Sequence, residues 1–316
     1  MLGRLLAVLA YLSLSTDLAQ VQPTRAGSDG SSGNPFAYDD ANESVAFESD
    51  HDVPITPLES TDGRRRLRVV IITEDDPLYV IEFFRVFFDE FPCGEIEVCG
   101  MTIDRAFHEP LQHTLLRMMR FYGWFGTFFQ GVRFVKAKVS RSTIASLADE
   151  HGVTVLETES VNDRAYLDRV RSLRPDLIAS VAGPEIFSSD LLELAPLGCI
   201  NVHSGRLPTY RGMLPCFWQM VRGEPEVTIT VHRMVEKLDA GDILATQAFP
   251  IRASDSLDRV IRGTKRAGAR LFIEVLRDLR TGVAQGTPLD WSKAGYFRFP
   301  NSTDVRKFRR RGHKLL

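Results

Sequence analysis

Short apolar runs alternate along the chain with longer segments of mixed polarity. Residues 67–72, 176–181 and 199–202 are mostly apolar and rich in β-branched side chains, which indicates strands that are buried on both faces. Residues 161–173 instead repeat apolar side chains at helical spacing and stop before Pro175, as expected of an amphipathic helix. Strands that alternate with helices predict an α/β fold with one mostly parallel, doubly wound sheet.

The same patterns place the remaining elements of a single domain, which we expect to span residues 64–281. Further strands are predicted at 95–101, 153–156 and 227–232. Further helices are predicted from Pro77 to about Glu90, and over 142–150, 214–222 and 254–280. The remaining residues, 282–316, contain four aromatic side chains between Trp291 and Phe299, so we expect this tail to pack on the domain.

The first 63 residues differ in character from the rest. Residues 1–14 are apolar with one arginine, Arg4, which resembles the core of a signal peptide but is too short for a membrane span. Residues 27–33 are rich in glycine and serine, and 38–62 are acidic and polar, so we expect a disordered leader. A secretory signal, a membrane anchor and an unstructured leader are all compatible with this pattern.

Composition narrows the class of function. The 316 residues carry a net charge of −2 and are 44% hydrophobic, without the positive charge typical of nucleic-acid binding. Four cysteines form no Cys-x-x-Cys pair, which fits neither a zinc site nor a disulfide framework and favours reduced thiols in a cytoplasmic protein. No Gly-x-Gly-x-x-Gly motif follows the first strand, so the dinucleotide fingerprint is absent.

Three polar residues are the candidates for chemistry. Asn201 and His203 lie two positions apart on a predicted strand, so their side chains point to the same side, at the rim where open α/β sheets bind ligands. Asp239 follows in a polar loop. An amide can donate to an oxyanion, an imidazole can transfer a proton, and a carboxylate favours the charged imidazole. Taken singly, each is more often structural, as a turn cap or a loop histidine.

Four short motifs follow one another around these residues: Asn201-Val-His203, Leu207-Pro208, Arg211-Gly212 and Leu238-Asp239-Ala-Gly241. In this order they resemble the folate-dependent formyltransferases, a family that includes glycinamide ribonucleotide, methionyl-tRNA and sugar N-formyltransferases. The likeness extends loosely from about Leu67 to Arg280. It implies a Rossmann-like domain, 10-formyltetrahydrofolate as co-substrate, no metal, and a catalytic trio of Asn201, His203 and Asp239. One departure is that many relatives carry Ser-Leu-Leu-Pro where this chain has Gly205-Arg206-Leu207-Pro208.

The resemblance also implies which residues bind the two substrates. In the family the turn after the strand at 176–181 borders the pterin pocket. The candidates for folate contact are therefore Ala182, Gly183 and Ile186, together with Met234, Leu238 and Gly241. A strand-to-helix turn without a ligand is an equally good interpretation of residues 182–186. The candidates for binding the acceptor are Arg206, Tyr210, Arg211 and Trp218.

The acceptor is expected to be a small amine, most of all an amino sugar linked to a nucleotide or a lipid. Residues 210–212 and the Phe217-Trp218 pair look more like the sugar branch of the family, and a tail of this length cannot form the barrel domain of the methionyl-tRNA branch. Glycinamide ribonucleotide is the first alternative. A formyltetrahydrofolate hydrolase, with water as acceptor, and a folate-binding protein without turnover are the others.

Residues 111–135 combine many aromatic side chains with Arg117, Arg120 and Arg133. Their apolar side chains repeat at helical spacing, and the arginines argue against a membrane span. One interpretation is a helix packed on the sheet or in a homodimer interface. The other is an interfacial helix that contacts a membrane peripherally, with Trp124 and the phenylalanines inserted. The basic run 307–311 is either a solvated face or a site for a phosphate or an anionic lipid.

Overall fold

Four adjacent parallel strands make up most of the six-stranded main sheet. A computed structural model describes residues 65–104, 111–183 and 185–316, so the predicted leader, 1–63, lies outside the described residues. The strands are β1 (Leu67–Glu74), β2 (Ile96–Asp104), β3 (Leu177–Val181), β4 (Cys199–His203), β5 (Arg211–Gly212), β6 (Glu226–Arg233), β7 (Ile243–Pro250) and β8 (Tyr296–Phe297). The main sheet has the order β2-β1-β3-β4-β6-β7, in which β6 and β7 are antiparallel to their neighbours.

Helices cover both faces of this sheet. They are α1 (Val80–Asp89), α2 (Leu111–Val139), α3 (Ile144–Glu150), α4 (Arg164–Ser172), α5 (Ser189–Leu192), α6 (Pro215–Arg222), α7 (Leu257–Thr281) and α8 (Ser302–Arg310). Along β1, Val69 and Ile71 pack in one apolar cluster with α1 and α7, and Val70 and Ile72 pack in another with α4 and α5. This period of two between two buried faces confirms the predicted α/β class with a mostly parallel, doubly wound sheet.

Two predicted elements differ from the structure. Residues 153–156 do not form a strand, because only one bridge joins Val155 to Met101. The first helix begins at Val80 rather than at Pro77, since the Asp76 carboxylate accepts hydrogen bonds from the backbone N–H groups of the two residues that follow the proline, at 2.8 and 3.2 Å. Asp76 thereby holds a turn ahead of the helix.

The long predicted helix around residues 111–135 is present but bent. It spans Leu111–Val139, and Gly123 within it has a φ of 76° and a ψ of 174°. A positive φ of this kind is readily adopted only by glycine. The bend therefore separates the aromatic half of α2, from Trp124 onward, from its first half.

The C-terminal residues pack against α6. The ring of Phe308 stacks on that of Phe217 with centroids 4.9 Å apart, and the Trp218 indole N–H donates to the carbonyl of Arg298 at 3.1 Å. A second contact is the two-stranded parallel sheet of β5 and β8. The segment after residue 281 is thus attached to the part of the chain that follows β4.

A buried carboxylate joins α1 to α7. Glu82 has a side chain only 5% exposed, and the guanidinium groups of Arg262 and Arg266 each lie 2.6 Å from it. Glu90 makes a similar contact to Arg270 between the same two helices, but its side chain is 39% exposed. Breaking a buried ion pair leaves an uncompensated charge, whereas an exposed pair is screened by water.

We therefore expect Glu82→Ala to lower the free energy of unfolding by roughly 3 kcal/mol. The matched variant Glu90→Ala should lower it by less than about 1 kcal/mol. Urea unfolding followed by circular dichroism measures both. Equal losses in the two variants would show that burial of the Glu82 carboxylate does not set its contribution.

Candidate active site

Strand β4 places an amide and an imidazole on the same face of the sheet. Asn201 and His203 lie two positions apart in β4. In the antiparallel pairing with β6, Asn201 is opposite His232 and His203 is opposite Thr230. Directly opposed residues of an antiparallel pair project to the same side. The four side chains therefore share one face, at the point where the sheet changes from parallel to antiparallel.

Asp239 approaches this face from the loop between β6 and β7. Its Oδ1 lies 3.7 Å from Nδ1 of His203 and 3.8 Å from Nε2 of His232. Its Oδ2 accepts a hydrogen bond from the backbone N–H of Gly212 at 2.8 Å. All of these carboxylate and imidazole groups are buried. One carboxylate therefore faces two imidazoles inside the protein.

The contacts of His203 define the role of each ring nitrogen. Its Nε2 lies 2.7 Å from the carbonyl oxygen of Tyr210, and because a carbonyl can only accept, Nε2 carries a hydrogen and donates. Nδ1 is then the nitrogen that faces Asp239. Their separation of 3.7 Å is too long for a direct hydrogen bond.

His232 is a fourth residue of the site, which the sequence did not reveal. Its Nδ1–H donates to the carbonyl of Arg233 at 2.7 Å, so in the neutral ring Nε2 is an acceptor, and Nδ2 of Asn201 lies 3.2 Å from it. Burial lowers the pKa of His232 to about 4, with Asp239 acting in the opposite direction and His203 in the same direction as burial. A neutral His232 thus orients the Asn201 amide. The alternating run at residues 227–232 ends on this histidine, but only the strand register shows what it faces.

The loop after β4 is shaped around His203. A Cβ on Gly205 would lie 2.7 Å from Nε2 of His203 and 2.8 Å from the carbonyl oxygen of Tyr210. Any side chain at this position would therefore press on the hydrogen bond between them. The Thr230 hydroxyl donates to the Gly205 carbonyl at 2.8 Å, which fixes this part of the loop on β6. The glycine that departs from the family pattern is thus required by the packing of this loop.

The short sheet of β5 and β8 holds the other end of this loop. The backbone N–H of Met213 donates to the carbonyl of Phe297 at 2.8 Å. Gly212, with a φ of 92°, would place a Cβ 2.3 Å from the same carbonyl oxygen, so glycine is needed for this close approach. Because Gly212 donates to Asp239, residues far along the chain position the carboxylate.

The four candidates for acceptor binding are all engaged in contacts within the protein. Arg206 pairs with Glu224 at 3.1 Å, and the hydroxyl of the buried Tyr210 donates to the same carboxylate at 2.6 Å. Arg211 donates to the carbonyl of Leu238 at 2.9 and 3.0 Å, and the Trp218 indole donates to the C-terminal tail. Three of them thus hold the loop after β4, Trp218 holds the C-terminal tail, and the carbonyl of Tyr210 is the part of that residue that contacts His203.

The six candidates for folate contact divide into two groups. Ile186 and Leu238 are exposed apolar side chains, on two loops joined by a 3.0 Å hydrogen bond between Ser189 and Glu236. The other four occupy positions that backbone geometry and close packing explain. Ala182, directly after β3, has a positive φ of 56°, and the backbone N–H of Met234 donates to the Cys199 carbonyl at 2.8 Å. A Cβ on Gly183 would lie 2.6 Å from the Ser180 hydroxyl, and a Cβ on Gly241 would lie 2.2 Å from the Arg233 carbonyl oxygen.

Comparison with known proteins finds a family match that covers this region. Residues 132–276, which include all four site residues, match the family model described as formyl transferase. The methionyl-tRNA formyltransferase of Halalkalibacterium halodurans is 37% identical over 171 residues, which are 53% of this chain and 53% of that protein. The chain thus spans about half the length of this curated relative.

Solved structures resemble the described fold at low sequence identity. Glycinamide ribonucleotide transformylase 1 from Symbiobacterium toebii is 17% identical, with a TM-score of 0.52 over 71% of this chain and 93% of that one. A sugar N-formyltransferase from a Shewanella species is 20% identical, with a TM-score of 0.46 over 74% of this chain and 77% of that one. The likeness to the first is one of fold.

The buried His232 should make stability depend on acidity. Its pKa is lowered to about 4 from an ordinary value of 6.5, so between these values the unfolded chain binds a proton that the folded protein does not, and stability falls as pH falls. Between pH 7 and pH 4, we expect the free energy of unfolding to fall by up to about 3 kcal/mol more in the wild type than in His232→Gln. Urea unfolding at several pH values measures the difference. His113→Gln, at an exposed histidine, is the control and should follow the wild type; if His232→Gln does so too, the ring is not held neutral.

Proposed function

Because residues 132–276 match the model of the formyl transferase family, we propose that this protein transfers the formyl group of 10-formyltetrahydrofolate to a primary amine. The observation that carries the proposal is the convergence of Asn201, His203 and Asp239 on one face of the sheet inside that region, with His232 orienting the amide. An amide donor, a protonated imidazole and a proton-accepting carboxylate are the groups that such a reaction requires.

The loops beside the site have the character needed for the donor. Ile186, Val235 and Leu238 are exposed apolar side chains on the two loops that the Ser189–Glu236 hydrogen bond joins. Apolar side chains around a few fixed polar groups are typical of sites for flat organic ligands. These loops support the proposal that the pterin of the folate binds between them, next to Asp239.

The reaction proceeds through attack of the amine on the formyl carbon. The new C–N bond places negative charge on the formyl oxygen, and the bond to the folate nitrogen then breaks to release tetrahydrofolate. The Asn201 amide has two hydrogens, and since one is directed to His232, the other is available to the oxyanion. A protonated Nδ1 of His203 supplies the second donor, because Nε2 is committed to Tyr210.

Asp239 completes the proton balance. The attacking amine loses one proton as the amide forms, and the departing folate nitrogen gains one. The Asp239 carboxylate faces Nδ1 of His203, so it stabilises the imidazolium and takes the proton of the amine, directly or through a water. Its second oxygen is held by the Gly212 N–H, which leaves Oδ1 as the atom turned toward the reacting groups.

The acceptor that we propose is an amino sugar carried on a nucleotide or a lipid. Trp291 is 40% exposed, and the cationic groups of Lys237 and Arg211 lie 4.5 and 5.2 Å from its ring centroid. An aromatic face beside two cations is suited to a sugar or base joined to phosphate. This surface lies next to the Asp239 loop, because Arg211 is bonded to Leu238. The similarity to a methionyl-tRNA formyltransferase makes an aminoacyl-tRNA the second candidate, and glycinamide ribonucleotide is the third.

The location and assembly of the protein are part of the same proposal. A cytoplasmic enzyme has access to formylated folate, and we propose that location. A homodimer and a peripheral contact with a membrane are independent of the catalytic step, and the membrane contact has structural support of its own.

Activity can be tested directly with the purified full-length protein. With 10-formyltetrahydrofolate and a panel of nucleotide amino sugars, glycinamide ribonucleotide and methionyl-tRNA, we expect one N-formyl product by mass spectrometry, from a nucleotide amino sugar. An N-formyl product from another member of the panel would contradict the proposed acceptor but would still support the proposed formyl transfer. Formate released equally well without acceptor would indicate a hydrolase, and folate binding without any product would indicate a binding protein.

The roles of the site residues can be separated from folding. His203→Ala and Asp239→Asn should each lower kcat by roughly two to four decades, the range for loss of an acid–base or oxyanion group. Each should keep the unfolding midpoint within a few degrees, which thermal unfolding checks. His113→Ala, at an exposed histidine outside the site, should keep full activity. Near-normal kcat in either site variant contradicts the mechanism.

A further inference from the structure

The second half of α2 presents an apolar stripe to solvent. Phe125 is 85% exposed, and Trp124, Phe128, Phe129 and Val132 are each about half exposed. Four of the five are spaced as i, i+3, i+4 and i+7, so they lie along one side of the helix. We call these five residues the aromatic face. Contiguous exposed apolar side chains of this kind mark a surface that contacts another apolar phase.

Three polar side chains of the same half-helix contact the rest of the protein instead. The Gln130 amide donates to the Tyr79 hydroxyl at 2.7 Å, and Arg133 donates to Asp258 at 2.7 Å. Lys138 forms an ion pair with Asp75. A surface helix of a water-soluble domain ordinarily has the opposite arrangement, with its apolar stripe on the core. Turning α2 over would lose these three contacts, so the protein holds the aromatic face outward.

Charge identifies what this face contacts. Residues 111–141 contain six lysine and arginine residues and no aspartate or glutamate. Three of the six, Arg120, Lys136 and Arg141, are exposed, and they flank the aromatic face along the chain. A second copy of this chain, related by a two-fold axis, would set these like charges against each other. The complementary partner is apolar inside and negatively charged at its surface.

We propose that the aromatic face docks on a lipid bilayer with anionic headgroups. The phenylalanines and Trp124 enter the boundary between headgroups and acyl chains, where aromatic side chains are favoured, and the flanking bases pair with lipid phosphates. Within the part of the chain that the structure describes, no helix is long and apolar enough to cross a membrane. The inference does not depend on formyl transfer.

The test uses full-length protein and two kinds of vesicle. We expect flotation with vesicles of phosphatidylcholine and phosphatidylglycerol, weaker flotation with phosphatidylcholine alone, and weaker binding at high salt because exposed charges are screened. The double variant Phe125→Ser with Phe129→Ser should lower the partition coefficient at least about tenfold, because the apolar surface that the two phenylalanines bury in the lipid is lost. Val283→Ser, at a valine 63% exposed elsewhere, should have no effect.

A charge variant separates the two parts of the surface. Arg120→Glu with Lys136→Glu should weaken binding to the anionic vesicles and leave binding to neutral vesicles little changed. Arg164→Glu with Arg171→Glu, at two exposed arginines of α4, makes the same change in net charge and is the matched control, which should stay close to the wild type. Equal losses in both charge variants would mean that overall charge, rather than the flanks of the aromatic face, attracts the vesicles, and would overturn the proposal.

Fluorescence places the face itself at the lipid. The emission of the wild type should shift to shorter wavelength on anionic vesicles, and Trp124→Phe, which keeps Trp218 and Trp291, should bind the vesicles without this shift. Three further results would overturn the proposal. They are a wild type that does not float, flotation unchanged by the two phenylalanine substitutions, and a dimer in solution that those substitutions dissociate, which would make the face a contact between copies of the chain.

Discussion

The carboxylate of Asp239 lies between two imidazoles. Two backbone carbonyls accept hydrogen bonds from different nitrogens of these two rings, and the arrangement of the site depends on this difference. The carbonyl of Arg233 accepts from Nδ1 of His232, which turns Nε2 into an acceptor for the Asn201 amide. The carbonyl of Tyr210 accepts from Nε2 of His203, which turns Nδ1 toward the carboxylate. Burial keeps the first ring neutral. The same kind of hydrogen bond, made by opposite ring nitrogens, thus leaves one ring with an acceptor nitrogen that faces an amide and the other with a nitrogen that faces a carboxylate.

This difference rests on the register between β4 and β6. Asn201 is opposite His232 and His203 is opposite Thr230. If one of the two strands shifted its register by one residue, its side chains would point to the other face of the sheet. The pairing is antiparallel, whereas the strands from β2 to β4 are parallel. The returning strand therefore brings the loop of Asp239 back to the face on which β4 presents its amide and imidazole.

The strands of the fold could be predicted because residues 67–72 and 176–181 are apolar on both faces, and the shared side of Asn201 and His203 follows from the period of a strand. The role of His232 could not, because a register between distant strands has no local signature. The two-residue strands β5 and β8 could not be predicted either, because β5 pairs with a strand in the distant C-terminal tail. Residues 153–156 have the composition of a strand but meet a neighbour at one bridge only. For α2, the sequence predicts helical spacing of the apolar side chains, and only the contacts of Gln130 and Arg133 show which side faces the protein.

The pairing of β5 with β8 has a consequence for the order in which the protein becomes complete during synthesis. A nascent chain that has left the ribosome only as far as β7 already contains Asn201, His203, His232 and Asp239. It lacks the carbonyl of Phe297 that accepts from Met213, next to the Gly212 N–H that holds Asp239. The four side chains of the candidate site are therefore translated well before strand β8, which fixes their loop. If translation stopped between β7 and β8, the ribosome-bound chain would contain all four residues of the candidate site, but the loop that holds the Asp239 carboxylate would lack its contact with Phe297.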